Sequence, residues 1–354
     1  MIKLLIVDDS ALMRRHLGMI FEAEGDFEIR FARNGKEAVE ENINFQPDVI
    51  TLDINMPEMD GLTALSLIMT ERPVPVVMVS SLTEEGALAT FEALNLGAID
   101  YIAKPGGTIS LSIDKIQQEL VSKVRAAVKA RIKKRPAQDL IHRLREERKR
   151  PKADRVAFPR ETKEGGLVVI GVSTGGPRTL EDILSVLPAD FPFPVLVAQH
   201  MPRSFTRPFA ERLNKLCMMT VTEVSRPVKV EPGNIYIARG GGDMVLTERN
   251  GRLTLISKPE NPSFLWHPSV EVLGRSVLDQ YNPEKVIAVL LTGMGNDGAE
   301  AFAEIKRRGG RTIAESEESA VVFGMPAELI KRGGATLVLP AEKIAKQLMA
   351  WAER

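Results

Sequence analysis

Cysteine occurs once in this chain of 354 residues, as Cys217. No internal disulfide can form, and a lone cysteine fits a reducing cytoplasm. No apolar run approaches the roughly 20 residues that a membrane helix needs, so no membrane insertion is expected. The opening stretch MIKLLIVDDS holds an apolar run too short for a signal peptide, and it ends in two aspartates where a small-residue cleavage site would stand. A cytoplasmic location is therefore expected. Net charge is missing as well, because 47 Lys+Arg face 47 Asp+Glu. The whole chain has no bias toward nucleic acid or membrane. That balance hides an asymmetry, since residues 123–163 hold 16 Lys/Arg against five Asp/Glu. The basic stretch lacks interleaved aromatics, and a solvated helix and tail accounts for it better than a nucleic-acid patch. No helix-turn-helix signal follows residue 166, so no DNA partner is expected.

What is present is ordinary globular material, 44% apolar and 27% charged, in a chain long enough for two domains. Over residues 1–105 the runs KLLIV, EIRFA, DVITLD, VVMVSS and DYIA alternate with amphipathic segments. Ser10 is placed to cap a first helix with an apolar face of Met13, Leu17, Ile20 and Phe21. This alternation predicts an α/β fold, a doubly wound parallel sheet with helices on both faces. A helix is expected near 114–133, followed by a polar stretch with little core of its own. From Leu167 the alternation resumes in LVVIGVS, PVLVAQH, NIYIA, KVIAVLLTG, TIAES and ATLVLP. DMVLTERNGRLTLIS reads as a hairpin turning at Asn250-Gly251. The expected organisation is a first domain over 1–122, a basic linker over 123–165, and a second, mostly parallel α/β domain with an antiparallel hairpin over 166–354.

Chemistry gathers at the strand ends of the first domain, where parallel sheets bind ligands. Asp8 and Asp9 follow LLIV, Asp53 ends VITL, Ser80 follows VMV, and Lys104 follows YIA. Three carboxylates in one crevice repel unless a divalent cation and a lysine offset them, and oxygen ligands of this kind suit Mg²⁺. One carboxylate would then attack phosphorus. Singly, each residue has a plainer reading: Asp8 and Asp9 as helix caps, Lys104 as a surface charge. Together, VDDS, LDINMPEMDG, VSS and AKP resemble the two-component response-regulator receiver domain, over residues 1–105. The resemblance implies a flavodoxin-like fold and Asp53 as phosphoacceptor. It implies Mg²⁺ held by Asp9, Asp53 and the carbonyl of Asn55, with Asp8 acting near it. Ser80, Tyr101 and Lys104 would be the switch residues, and a sensor histidine kinase the phosphodonor.

In the second domain GVSTGGP fits the G-x-S-x-G elbow that projects a serine from a sharp turn. On the motif alone a nucleophile and a structural turn are equally supported, and the lysine of a Walker loop is missing. His16 lies in the first helix and His142 in the linker, whereas His200 ends VLVAQH at the same sheet edge as Ser173. Asp297, in LTGMGNDG, is placed either to orient that histidine or to cap the following helix. The order Ser173, His200, Asp297 is not that of an α/β-hydrolase.

The segments GVSTGGP, VAQHMPRSFT, LTGMGNDG and VVFGMP resemble the catalytic domain of the chemotaxis protein-glutamate methylesterase family, over roughly 167–350. The resemblance implies a catalytic triad of Ser173, His200 and Asp297, with Thr174 and Met294 near the oxyanion site and no cofactor for the ester hydrolysis. It implies methyl-accepting chemotaxis receptors as substrates, methanol as product and glutamine deamidation as a second activity. Where the family commonly has an arginine before Pro-Ser, this chain has His267, a position the resemblance puts near the substrate entrance. A rival reading is a binding module that performs no chemistry.

Overall fold

The computed structural model describes residues 1–81, 83–104, 113–130 and 165–353. The chain divides into two compact units. The first alternates β1 (Ile2–Val7), α1 (Ala11–Glu24), β2 (Phe27–Ala32), α2 (Gly35–Asn44), β3 (Val49–Asp53), α3 (Gly61–Glu71), β4 (Val76–Ser80), α4 (Glu84–Leu96), β5 (Asp100–Ala103) and α5 (Ile113–Val128). Its sheet runs β2-β1-β3-β4-β5, with every neighbouring pair parallel. β3 and β4 are buried at every position, which is why they read as unbroken apolar runs. Helix starts are set by side-chain caps: Ser10, Asn34, Asp60 and Thr83 each accept an amide of the first turn of α1 to α4. Leu17, Ile20 and Phe21 of α1 are buried as expected, and Met13 is half-buried.

The domain boundary expected after residue 122 falls inside α5. Leu120, Val121, Val124 and Ala127 of that helix are buried. Lys123 Nζ donates to the carbonyl of Tyr101 at 2.8 Å, and Arg125 pairs with Asp26 and Glu24. The basic run therefore begins within the last described helix of the first unit, where Lys123 and Arg125 serve as ties. The remainder of the expected linker, with His142, lies outside the described residues, as does 105–112.

The second unit is larger. It comprises β6 (Leu167–Val172), α6 (Gly176–Leu184), β7 (Val195–Gln199), α7 (Arg203–Leu216), β8 (Thr220–Val224), β9 (Val228–Lys229), β10 (Asn234–Ala238), β11 (Asp243–Arg249), β12 (Arg252–Lys258) and α8 (Val270–Gln280). A 3₁₀ turn at Pro283–Lys285 precedes β13 (Val286–Leu290), α9 (Ala299–Arg307), β14 (Arg311–Glu315), α10 (Met325–Lys331), β15 (Leu337–Leu339) and α11 (Ala341–Ala352). The main sheet runs β15-β14-β13-β6-β7-β10-β8, all parallel. β11 and β12 form the expected hairpin, turning through Asn250 and Gly251 at φ 51° and 72°. Positive φ at both positions is what a two-residue hairpin turn requires. β9 adds to β12, giving a small antiparallel sheet. One core unites Leu167, Leu196, Leu255, Leu273, Leu290 and Phe302, so strands of both sheets and helices α8 and α9 share it. β6 is flanked by β13 on one side and β7 on the other, so its carboxyl end opens at the point where the winding reverses.

Candidate functional site

β6 ends at Val172 and the chain turns through Ser173, Thr174 and Gly175 into α6. Gly175 has φ 79°, a conformation side chains disfavour, and a Cβ on Gly176 would stand 2.0 Å from Gln199 Oε1. The glycines of the motif are thus required by the turn itself. The turn is then fastened from the ends of two neighbouring strands, β13 and β7. Ser173 N–H donates to the Thr292 carbonyl at 2.9 Å. Thr292 Oγ1 donates to the Thr174 carbonyl at 2.8 Å. Gln199 Nε2 reaches the carbonyls of Ser173 and His200, both at 3.0 Å.

His200 follows β7, the neighbour of β6, and its Nδ1 lies 3.0 Å from Ser173 Oγ. Its Nε2 lies 2.8 Å from Asp297 Oδ2. A carboxylate can only accept, so Nε2 carries the proton and Nδ1 is left to accept the serine hydroxyl. The three side chains come from the carboxyl ends of β6, β7 and β13 and meet in one place, with His200 and Asp297 buried and Ser173 half-buried.

Asp297 does not cap the helix that follows it. α9 is preceded by Gly298, at φ 82°, with no side-chain cap. The Asp297 carboxylate instead sits at the start of α8, accepting Val270 N–H at 2.7 Å, Glu271 N–H at 3.0 Å and Ser269 Oγ–H at 3.0 Å. Burial alone would raise its carboxyl. The His200 hydrogen bond and charge, and the two helix amides, outweigh burial and hold it below the ordinary carboxylate range. Gly293 backs Ser173, because a Cβ there would lie 2.6 Å from Ser173 Cβ. Thr174 is buried and Met294 half-buried beside the same turn.

Sequence patterns gave no sign of three further residues. Trp266 stacks on His200, with ring centroids 5.8 Å apart and planes 14° apart. Ser269 caps α8 while binding Asp297. Asp243, the first residue of β11, receives His267 Nδ1 at 2.8 Å. His267 is therefore turned against Asp243, with a side chain only 10% exposed.

In the first unit the expected residues also converge. Lys104 Nζ lies 2.9 Å from Asp8 Oδ2 and 2.7 Å from Asp53 Oδ2, so it is no free surface charge. Carboxylate oxygens of Asp8, Asp9 and Asp53 lie within 4.8 Å of one another. Asp8 and Asp53 are buried while Asp9 is exposed. Asp53 is pushed above its ordinary range first by burial and further by the charge of Asp8, with Lys104 and the Ile54 amide only partly offsetting this. Burial alone would lower Lys104, but Asp53 and Asp8 outweigh it and hold the ammonium charged. Three carboxylates against one ammonium leave excess negative charge on oxygen donors, which fits Mg²⁺. Asn55 follows in the bend after β3, exposed. Ser80 Oγ donates to the Gly86 carbonyl at 3.1 Å. Tyr101 is buried, and burial and the charge of Asp100 push its phenol well above the usual value.

The chain thus joins a sheet with an acidic, lysine-bridged crevice to an α/β unit holding a hydrogen-bonded serine, histidine and aspartate. Residues 4–113 match the family described as response regulator receiver domain, and residues 168–348 that described as CheB methylesterase. The protein-glutamate methylesterase/protein-glutamine glutaminase 3 of Rhodospirillum rubrum is 59% identical, over 100% of this chain and 97% of that one. The protein-glutamate methylesterase/protein-glutamine glutaminase of Thermotoga maritima is 42% identical over 98% of each. The crystal structure of the Thermotoga maritima CheB methylesterase catalytic domain superposes with a TM-score of 0.51 at 41% identity, covering 53% of this chain and 99% of that one. The chain belongs to the CheB methylesterase family, with a response regulator receiver domain at its amino-terminal end.

Proposed function

We propose that this protein is a phosphorylation-activated serine hydrolase that demethylates glutamyl methyl esters of methyl-accepting chemotaxis receptors and deamidates glutamines in them. The relatives named for both activities support the substrate class. The observation that carries the chemistry is the run of two hydrogen bonds from Ser173 through His200 to Asp297, at 3.0 and 2.8 Å. His200 Nδ1 takes the hydroxyl proton as Ser173 Oγ attacks the γ-carbonyl carbon. Backbone amides near Thr174 and Met294 hold the oxyanion, the Ser173 N–H being given to the Thr292 carbonyl. The tetrahedral adduct collapses, His200 returns the proton to the departing methoxide, and methanol leaves an acyl-serine. Water, deprotonated by His200, then releases the glutamate and regenerates Ser173. For a glutamine the first leaving group is ammonia. Asp297 keeps the proton on Nε2 and stabilises the imidazolium that forms.

Asp53 is the proposed phosphoacceptor. Asp9, Asp53 and the Asn55 carbonyl would hold Mg²⁺, with Asp8 beside them. The bound ion would offset charge on the transferring phosphoryl oxygens. Lys104, which bridges Asp8 and Asp53, would pair with the phosphoryl group. Ser80 and Tyr101 would report its arrival. A sensor histidine kinase is the proposed phosphodonor and the cytoplasm the proposed location.

The test is methanol release from methylated receptor by the full chain and by Ser173→Ala, each with and without a small-molecule phosphodonor and Mg²⁺. We expect serine-dependent release that rises with phosphodonor, and a loss on the order of 10³-fold or more in Ser173→Ala. Release that survives the substitution would refute the triad.

A further inference from the structure

The segment between β12 and α8 is gathered onto one carboxylate. Asp243, only 1% exposed, accepts Asn261 N–H at 2.9 Å on Oδ2 and Ser269 N–H at 2.7 Å on Oδ1. Those two residues stand near the two ends of the segment. His267 Nδ1 lies 2.8 Å from the same Oδ1, and its Nε2 lies 3.2 Å from the carbonyl of Phe264. Both atoms facing the ring are acceptors only. A neutral imidazole has a single N–H and could satisfy one of them; both are satisfied when both nitrogens carry protons. The ring therefore ties the Asp243 carboxylate, which otherwise meets only amides, to the backbone at Phe264.

The other charged groups on the surrounding elements do not take this place. Lys258 and Glu260 are exposed. Glu271 of α8 is paired with Arg275, and Asp297 is engaged by His200 and the start of α8. Arg203, at the head of α7, approaches Gly241 through its aliphatic carbons.

What the knot secures is the residue next door. Trp266 lies flat on the face of His200, and its Nε1 is 3.7 Å from where a Cβ on Gly295 would stand. The indole thus reaches from the histidine ring to the glycine turn that bears Asp297. We propose that His267 is a positioning residue: bridging Asp243 and the Phe264 carbonyl, it fastens the 261–269 segment to Asp243 and so holds Trp266 against His200. Its kinetic consequence rests on the esterase reading; the clamp itself does not.

Two measurements on the full chain test the clamp without any substrate. Ring-nitrogen NMR of the four histidines, with His267→Gln for assignment, reads the protons on His267 directly. We expect a proton on Nδ1, given to the Asp243 carboxylate; an Nδ1 without a proton overturns the proposal. The chain has two tryptophans, so in a Trp351→Phe background the emission reports Trp266. His267→Gln, which keeps a donor but does not span Asp243 and the Phe264 carbonyl as the ring does, should shift that emission to the red and raise its acrylamide quenching constant. His267→Arg, whose planar fork offers donors to both acceptors, should restore both. A folded His267→Gln protein with parental emission and quenching would also overturn the proposal. With methylated receptor, kcat of His267→Gln should fall about tenfold with KM within about twofold, and His267→Arg should recover it. Expected NMR and fluorescence in a protein that releases no methanol would refute the esterase reading and leave the clamp standing.

Discussion

Asp53 and Asp297 are both buried, at 2% and 9% exposure, and each ends or follows a central parallel strand of its own unit. Their carboxyls are nevertheless driven in opposite directions. Burial is common to both and raises both. The difference lies in what faces the oxygens. Asp53 has the carboxylate of Asp8 beside it, with one amide and Lys104 as relief. Asp297 meets two helix amides, a serine hydroxyl and an imidazole N–H, all fixed by packed backbone. On the proposed reading Asp53 is to be phosphorylated, and incompletely offset charge suits it, since a metal and a phosphoryl group can then relieve it. On the same reading Asp297 keeps one histidine tautomer, and complete satisfaction suits that. Depth of burial alone would have assigned the two the same role.

The sharpest break in that comparison is Asp297→Asn. The amide keeps volume but can no longer guarantee a proton on His200 Nε2, and its NH₂ would oppose the α8 amides. We expect kcat to fall on the order of 10³-fold or more. A loss under tenfold would mean that Asp297 serves α8 rather than His200. The sign of its pH effect follows from the lowered carboxyl. Its stabilisation is complete above the unfolded value near 3.8 and is lost as pH falls through the lower folded value. Melting of the second unit should therefore weaken below about pH 4 in the parent, with a shallower slope in Asp297→Asn.

Asp53→Asn should act in the other sense. Because its carboxyl is raised, the folded state binds the extra proton between 3.8 and the higher folded value, so stability falls as pH rises through that window. At neutral pH the full cost is present. Removing the charge should stabilise the first unit by on the order of 1 kcal/mol, a few degrees in Tm, and abolish any phosphodonor response of the esterase. Mg²⁺ sharpens the contrast. At ten times its Kd the ion should add about 1.4 kcal/mol to the first unit of the parent, and much less to Asp53→Asn. A parental melting curve indifferent to Mg²⁺ would count against the metal assignment.

How much of this could be read from residues alone depends on where the partners lie. Ser173, Asp53 and Lys104 were legible because buried parallel strands are unbroken apolar runs, and the polar residue that ends each one stands out. The hairpin was legible because Asn250-Gly251 is a local requirement of its turn. β8 was not: TVTEV is short, only partly buried and lies at the sheet edge, so it carries no apolar run. The partners of Asp297 were out of reach because they sit 26 to 28 residues upstream, on a helix brought there by tertiary packing. Local spacing pointed to the helix immediately following, which is capped by Gly298 instead. The choice of Nδ1 rather than Nε2 facing Ser173 depends on the side of His200 from which Asp297 approaches, and no spacing encodes that.

The smallest contrast is between two serine caps. Ser10 is exposed and accepts Met13 N–H at 3.3 Å at the start of α1. Ser269 is fully buried, accepts Val272 N–H at 3.2 Å, and gives its own proton to Asp297 Oδ1. Alanine at residue 10 removes one exposed cap and should cost about 0.5–1 kcal/mol in the first unit. Alanine at residue 269 removes a cap and also withdraws one donor from a buried carboxylate, for about 2 kcal/mol in the second unit. Denaturant midpoints for each unit measure both. If the costs were equal, the Ser269–Asp297 bond would contribute nothing. The anchoring of Asp297 would then rest on the helix amides alone, so Ser269→Ala should leave kcat intact. If the costs differ as expected, kcat of Ser269→Ala should fall too, by much less than in Asp297→Asn, because Val270 and Glu271 still hold the carboxylate toward His200.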